Sequence, residues 1–375
     1  MAAQSIPVET FTEGWLKNGA RIRINPFLSE DGDIYGELDA FIPLFDGETS
    51  AFFAQLGLRK SYDGWVGNLG MGRRYFPTDN FSLGYNLFFD HDFSENHSRM
   101  GAGLELWHSF LRLSSNAYIP LSNWKPVQDN RFGLIEEKPA GGWDARLKAY
   151  LPFYPNISLT GGFSQWYGDY VLNYKDAVSK KCAKIWSYGI EFTPVKMVTF
   201  YYRRNIARSN PDNSEYGMYL TYNFGSDISV QTSHDLIPQL REVEASRHDF
   251  VDRENRIILN IRAKNDAGSK YVINPKILSF TGYDEGGFSS SIVGTAQYTI
   301  TPAPQSGWKI SETNIGTATN NMCSYTFNSS TGILELTWSG DLSGNRVYQL
   351  YINFADGDDN FIGTVFITLT MNDNV

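Results

Sequence analysis

The chain has little cysteine, little histidine, no long hydrophobic run and no surplus of basic charge. Cys182 and Cys323 are the only cysteines in 375 residues, too few and too far apart for a disulfide framework or a cysteine-histidine zinc site. Against 32 Lys+Arg stand 41 Asp+Glu, a net charge of −9. That is the wrong sign for the basic footprint of a nucleic-acid binder. No apolar run approaches the ~18 residues of a spanning helix, which excludes a helical membrane protein. Met1–Gln4 shows neither the charged nor the apolar region of a leader, so an exported chain is expected to be a mature or trimmed form. Strands that cross a membrane alternate apolar and polar residues and pass the hydropathy test unseen. An aromatic content of 15%, with 22 Tyr and 25 Phe, suits that exception.

From about residue 20 to 224 the pattern has period two. Trp143, Ala145, Leu147, Ala149 and Leu151 form one face, and Asp144, Arg146, Lys148 and Tyr150 the other. The same split separates Ile34, Leu38, Ala40 and Ile42 from Tyr35, Glu37, Asp39 and Phe41, and Trp186, Tyr188, Ile190 and Phe192 from Ser187, Gly189 and Glu191. Such runs predict about twelve strands, at 20–28, 34–43, 50–60, 65–76, 82–90, 99–107, 110–119, 143–151, 157–167, 184–193, 197–204 and 215–224. Each is near the ~9–11 residues that cross a bilayer at a tilt. Connections after even strands are short, at 44–49, 77–81, 108–109, 152–156 and 194–196. Long ones, at 91–98, 120–142, 168–183 and 205–214, all follow odd strands. Loop length sorted by parity is expected of an antiparallel membrane barrel, with short turns on one side and long loops on the other. A soluble barrel or sandwich has no reason to sort its loops. Phe81, Trp107, Tyr154, Trp166 and Phe224 near strand ends suit interfacial girdles.

Past the barrel the character changes. Ile237–Glu244 reads as one or two helical turns with Pro238 at the start. Ser246–Asn255 is polar and dense in charge, and a short extended run follows from Arg256. This is either a solvated linker or a segment threaded through a polar lumen. Beyond Asn265, strand-like runs near 271–280, 295–302, 322–328, 332–338, 346–354 and 361–370 suit an immunoglobulin-like sandwich. The predicted organisation is an N-terminal tail at 1–14, a 12-stranded barrel at 15–232, a linker at 233–264 and the all-β module at 265–375.

Candidate chemistry is sparse. His91, Asp92 and His97, with Asp90 and Glu95 in a predicted loop, read better as loop polarity than as metal ligands. The glycine run Gly67–Gly72 lies inside a predicted strand with no helix after it, so it is no phosphate loop. Its small residues are expected to leave room in the lumen or to let the strand curve. His108-Ser109 sits in a short turn, the wrong end for an enzymatic barrel. Neither an enzyme nor a cofactor is expected. Asn156-Ile157-Ser158 and Asn328-Ser329-Ser330 match a glycosylation sequon, a weak signal.

Four stretches together resemble the β-domain of the intimin and invasin family, the inverse autotransporters. They are Ser98–Trp107 (SRMGAGLELW), Glu137–Asn156 (EKPAGGWDARLKAYLPFYPN), Thr193–Arg204 (TPVKMVTFYYRR) and Arg241–Leu259 (REVEASRHDFVDRENRIIL). The resemblance covers about residues 15–264. His248 stands where the family usually has Tyr, Glu254 replaces an asparagine and Gly141 replaces another; these changes touch lumen contacts and not the fold.

The resemblance implies an outer-membrane barrel with a periplasmic N-terminus, whose linker runs up the pore and displays a C-terminal passenger at the cell surface by type V secretion. Adhesion or another host interaction linked to virulence is the expected use, with export or capture of a separate secreted protein, or a porin-like barrel, as alternatives. Implied partners are outer-membrane lipid, the barrel-assembly machinery, periplasmic chaperones, and a host receptor or secreted bacterial protein. The closing strand, carrying Tyr216, Gly217, Tyr222 and Phe224, ends in an aromatic like the signal read during barrel assembly. The inward charges expected to line the lumen and brace the linker are Glu37, Asp39, Arg59, Asp144, Arg146, Lys148, Glu191 and Arg203. Their expected linker partners are Arg241, Glu244, Arg247, Asp249, Asp252 and Arg253.

Overall fold

The computed structural model describes residues 19–29, 34–60, 64–129, 133–174, 177–207, 213–263, 271–275, 277–283, 291–340 and 346–372. The expected tail at 1–14 and Lys264 lie outside them. The chain divides into two compact units. One holds Met1–Asn123, Pro139–Gly168 and Lys181–Ile258; the other holds Trp124–Lys138, Asp169–Lys180 and Leu259–Val375.

The first unit is a closed barrel. Its strands are β1 (Arg21–Ser29), β2 (Ile34–Asp46), β3 (Ser50–Lys60), β4 (Trp65–Thr78), β5 (Phe81–Asp92), β6 (Ser98–His108) and β7 (Leu111–Pro120). A hairpin, β8 (Lys125–Asp129) and β9 (Gly133–Pro139), interrupts the series. The barrel resumes with β10 (Gly141–Leu151), β11 (Tyr154–Tyr174), β12 (Ala177–Val195), β13 (Val198–Ala207) and β14 (Asn213–Asn223). Neighbours pair antiparallel around the ring, and β1 closes on β14 from Arg21↔Asn223 to Ser29↔Glu215. Twelve strands and closure are as the sequence predicts.

Parity also holds in the turns. β2–β3, β4–β5, β6–β7, β10–β11 and β12–β13 are joined by two or three residues, whereas β1–β2, β3–β4, β5–β6 and β13–β14 are separated by four or five; β11 and β12, prolonged to within two residues of each other, are the exception. Two expected loops are strand instead. Residues 168–174 prolong β11, 177–183 prolong β12, and 120–142 carries the β8–β9 hairpin. Asp90, His91 and Asp92 belong to β5 and not to a loop.

Exposure alternates as lipid outside and a filled lumen inside require. Leu69, Leu87, Leu104, Leu159 and Tyr188 are exposed, whereas Gln55, Asn68, Asn86, Glu105 and Asn116 between them are buried. Phe45, Phe110 and Phe153 remain exposed beside the short turns, as do Trp65 and Phe93 at the opposite strand ends. Trp107 and Trp166 depart from the girdle expectation. Both are buried, Trp107 beneath the guanidinium groups of Arg74 and Arg112 and Trp166 against the ring of Tyr118.

After β14 comes a one-turn helix, α1 (Ile228–Gln231). The Gln231 side chain is fully buried, accepts from Asn223 N–H and donates to the Asn223 and Ser226 carbonyls, fastening the turn to the end of the closing strand. Two 3-10 turns follow, Pro238–Arg241 and Glu244–Ser246, where one or two helical turns are expected.

The second unit begins its C-terminal part with β15 (Leu259–Ala263). There follow β16 (Val272–Asn274), β17 (Ile277–Tyr283), β18 (Ser291–Gln297), β19 (Thr299–Thr301), β20 (Trp308–Thr313), a one-turn α2 (Ile315–Ala318), β21 (Cys323–Asn328), β22 (Ile333–Trp338), β23 (Arg346–Asp356) and β24 (Phe361–Asn372). Sheets ordered β17-β24-β23-β20 and β18-β22-β21 contribute to one core that includes Leu334, Leu336, Trp338, Ile352, Phe354 and Ile367. Period-two burial along β22 is what a sandwich strand needs. The sequence reading misses β20, which alternates too briefly to register.

Candidate functional site

The lumen is occupied by the chain itself. Residues 247–255 have no strand partner; the Arg247 and Asp249 N–H groups close turns on the Glu244 and Ser246 carbonyls, and the other backbone groups must find side chains or water. Lumen side chains supply them. The carbonyls of Arg247, Asp252, Glu254 and Asn255 accept from Arg74, Asn116, Arg99 and Asn68, at 2.7, 3.1, 2.8 and 3.3 Å. Val251 N–H donates to Gln55 Oε1 at 3.0 Å, and Glu254 N–H to Tyr118 Oη at 2.7 Å. At the end of the segment, Ala140 N–H donates to the Ile258 carbonyl at 2.7 Å.

Charge pairing sets the register. Asp90 of β5 lies opposite Arg99 of β6 and binds both Arg99, at 2.7 Å, and Arg253 of the threaded segment, at 2.6 Å. All three side chains are almost wholly buried. Asp249 is held by Arg21 at 2.5 Å and by Arg112. Arg146 reaches Asp252 at 3.0 Å and Glu254 at 3.7 Å. At the β2–β3 turn Arg247 pairs with Asp46 at 2.7 Å and donates to the Gly47 carbonyl, while His248 meets the same carboxylate at 2.9 Å.

Aromatic rings lie beneath the cations. Arg253 lies over Phe88 at 4.2 Å, Arg247 over Phe76 at 4.3 Å and Arg74 over Phe53 at 4.5 Å. Cations over ring faces gain more once desolvated. Gly70 and Gly72 of the glycine run make room for these rings: a Cβ on Gly70 would lie 2.2 Å from Phe88, and one on Gly72 2.5 Å from Phe53.

Of the eight lumen residues expected from sequence, Arg146 meets the threaded segment directly. Asp144 does so through Tyr118, which donates to its Oδ2 at 2.7 Å. Asp39 binds Arg23 at 2.6 Å, and Arg23 in turn lies over Phe250 at 4.3 Å. The ion pairs of the rest run between barrel strands: Glu37 with Arg59, Lys148 with Glu191 at 2.9 Å, and Arg203 with Glu215 at 3.7 Å. Among the linker residues, Arg247, Asp249, Asp252 and Arg253 engage barrel side chains. Glu244 pairs with Arg247 on its own segment, and Arg241 donates to the Pro155 carbonyl at 2.9 Å and lies over Tyr150. On the closing strand Tyr216 and Tyr222 are exposed, and a Cβ on Gly217 would lie 2.6 Å from the Tyr201 ring. Phe224 lies just past β14, donating its N–H to the Ala20 carbonyl.

Sequence reasoning misses Gln55, Asn68, Arg74, Asp90, Arg99, Asn116 and Tyr118. The available signal is parity: Arg99, Gly101, Gly103, Glu105 and Trp107 share the inward face of β6, and Asp90 lies directly across from Arg99. His91 accepts or donates at Ser98 Oγ, 2.9 Å away.

The sequence and the fold are matched by known proteins. Residues 4–255 match the family described as inverse autotransporter, beta-domain. The inverse autotransporter adhesin YeeJ of Escherichia coli K12 is 32% identical over 253 residues, 67% of this chain and 11% of that protein. Intimin of Escherichia coli O127:H6 is 31% identical over 68% of this chain and 26% of its own length, and invasin of Yersinia enterocolitica 29% over 64% and 28%. The matched part is thus about a tenth to a quarter of each relative. A solved membrane-protein chain, from work on in-meso crystallization, superposes with a TM-score of 0.61 at 31% identity, covering 65% of this chain and all of that one. The chain belongs to the inverse autotransporter β-domain family, as a twelve-stranded outer-membrane barrel with its own polypeptide through the lumen.

Proposed function

We propose that residues 15–232 are a translocator, that 233–264 are the linker left in its pore, and that 265–375 are a passenger displayed on the cell surface, with the N-terminus periplasmic. The observation that carries this is the lumen's fit to an extended segment by backbone contacts and buried ion pairs, followed by a separately cored module. A segment held in this way is one that has passed into the pore and stopped. Glu37, Asp39, Arg59, Asp144, Arg146, Lys148, Glu191 and Arg203 shape the polar wall, and Arg247, Asp249, Asp252 and Arg253 are the segment's fastenings. Arg241 and Glu244 hold the turn at its entry. Tyr216, Gly217, Tyr222 and Phe224 form the closing seam that the assembly machinery reads. The adhesins among the relatives support a host-binding use of the displayed module.

The test is protease shaving of intact cells carrying one epitope tag after Val375 and another within residues 120–142. Loss of both tags, with the barrel protected, is the expected result. A C-terminal tag that survives until the outer membrane is opened puts the module in the periplasm and ends the display reading.

A further inference from the structure

β15 is paired on both edges. It runs antiparallel to the prolonged part of β11, with Tyr170↔Ile261, Val171↔Asn260 and Leu172↔Leu259. Its other neighbour is β9, which pairs with β8 from Lys125↔Glu137 to Asp129↔Gly133. Insertion of an extended segment between two strands binds it through the main chain and leaves side chains to fix the register. Here Tyr170 N–H donates to Asn260 Oδ1 at 3.4 Å, and Arg262 pairs with Glu136 at 2.8 Å while lying over Trp124 at 4.1 Å.

Burial is unusual for so short a strand. Leu259, Asn260 and Ile261 are all buried, as is Val171 opposite. Consecutive residues point to opposite faces, so both faces of β15 are covered. Tyr170, on the gripping strand, lies 5.9 Å from Phe366 of β24. The pairing that holds β15 therefore also touches the module that follows it.

We propose that β15 is a second anchor for the displayed chain, separate from the ion pairs of the lumen, and that it bears tension arriving from the C-terminal side. A pull beyond Ala263 runs along β15 and loads its hydrogen bonds on both edges together. The fastening of Arg253 to Asp90 feels force only after β15 lets go. This goes beyond display itself and takes from that reading only the direction of the pull.

The experiment is single-molecule pulling on the full chain in nanodiscs tethered through a biotinylated scaffold, with a handle after Val375. The expected record is unfolding of the C-terminal module, then a distinct release of β15, then extraction of the lumen segment. Asn260→Pro removes a ladder donor and is expected to abolish the middle event or more than halve its force, with module unfolding unchanged. Arg262→Glu is expected to lower it, and Arg262→Glu with Glu136→Arg to recover most of it. If the single variants release at the parent force, or no middle event exists in the parent, the anchor is refuted. Should Asn260→Pro disturb the module's own unfolding, the charge-swap pair decides. Because the record comes from purified protein, its failure leaves the shaving result standing, and a periplasmic tag leaves the anchor standing.

Discussion

Asp90 serves two arginines of different origin, Arg99 from the barrel wall and Arg253 from the threaded segment. Its removal strands two buried guanidinium groups, and breaking a buried pair from one side costs about 3–5 kcal/mol. Arg253→Leu leaves Asp90 and Arg99 matched. We expect Asp90→Ala to lower the temperature of heat-modified gel migration far more than Arg253→Leu; the reverse order would show that Arg99 does not need the carboxylate. At Arg146 a glutamate would face Asp144, Asp252 and Glu254. Like charges at such range repel, so Arg146→Glu is expected to loosen the plug and raise single-channel conductance. Unchanged conductance would remove Arg146 from the fastening. The sequence reading reaches Arg146 because it alternates with apolar neighbours that face lipid. It misses Asp90 because two histidines and further acids beside it read as a polar loop.

Among strands, the contrast is between Gly70 and Gly36. A Cβ on Gly70 would strike the Phe88 ring, which lies beneath Arg253, whereas one on Gly36 would meet nothing within 4 Å. Overpacking costs about 1–3 kcal/mol, so Gly70→Ala is expected to lower the urea midpoint in vesicles while Gly36→Ala leaves it in place. Equal effects would mean that Phe88 moves freely. The twelve strands are legible in the sequence because lipid and a wet lumen impose opposite demands on alternate residues. The prolonged end of β11 is not, because its partner β15 arrives some ninety residues later (Tyr170 opposite Ile261) and both faces are covered there, at Val171 and Leu172. Trp107 and Trp166 mislead for a related reason: tryptophan suits an interface and a cation's underside equally, and only strand parity separates the two.

At the scale of the whole molecule, the C-terminal module carries its own titration. Burial pushes the Cys323 thiol up to about 11 from its ordinary 9, and burial also raises the Tyr298 phenol. A group that ionises later in the folded state stabilises it fully below the unfolded value, and that contribution is lost as pH rises toward the folded one. Resistance of the module to pulse proteolysis is thus expected to be level up to about pH 9 and to fall between 9 and 11, less steeply in Cys323→Ala. A flat profile would mean the thiol is solvated. The lumen carries a different consequence. Past the turn at Arg247 and His248, residues 249–255, at up to ~3.3 Å each, span roughly 20 Å, about two thirds of the ~30 Å of a bilayer's hydrocarbon. The segment's fastenings run from the β2–β3 turn at Arg247 to Asn68 at Asn255. On the display reading, a polypeptide sliding through meets receptive side chains all along the wall but satisfies them only when this spacing arrives. The barrel then works as a ruler that recognises the segment leading into its cargo, and the halt to transport is written in the few residues left inside the pore.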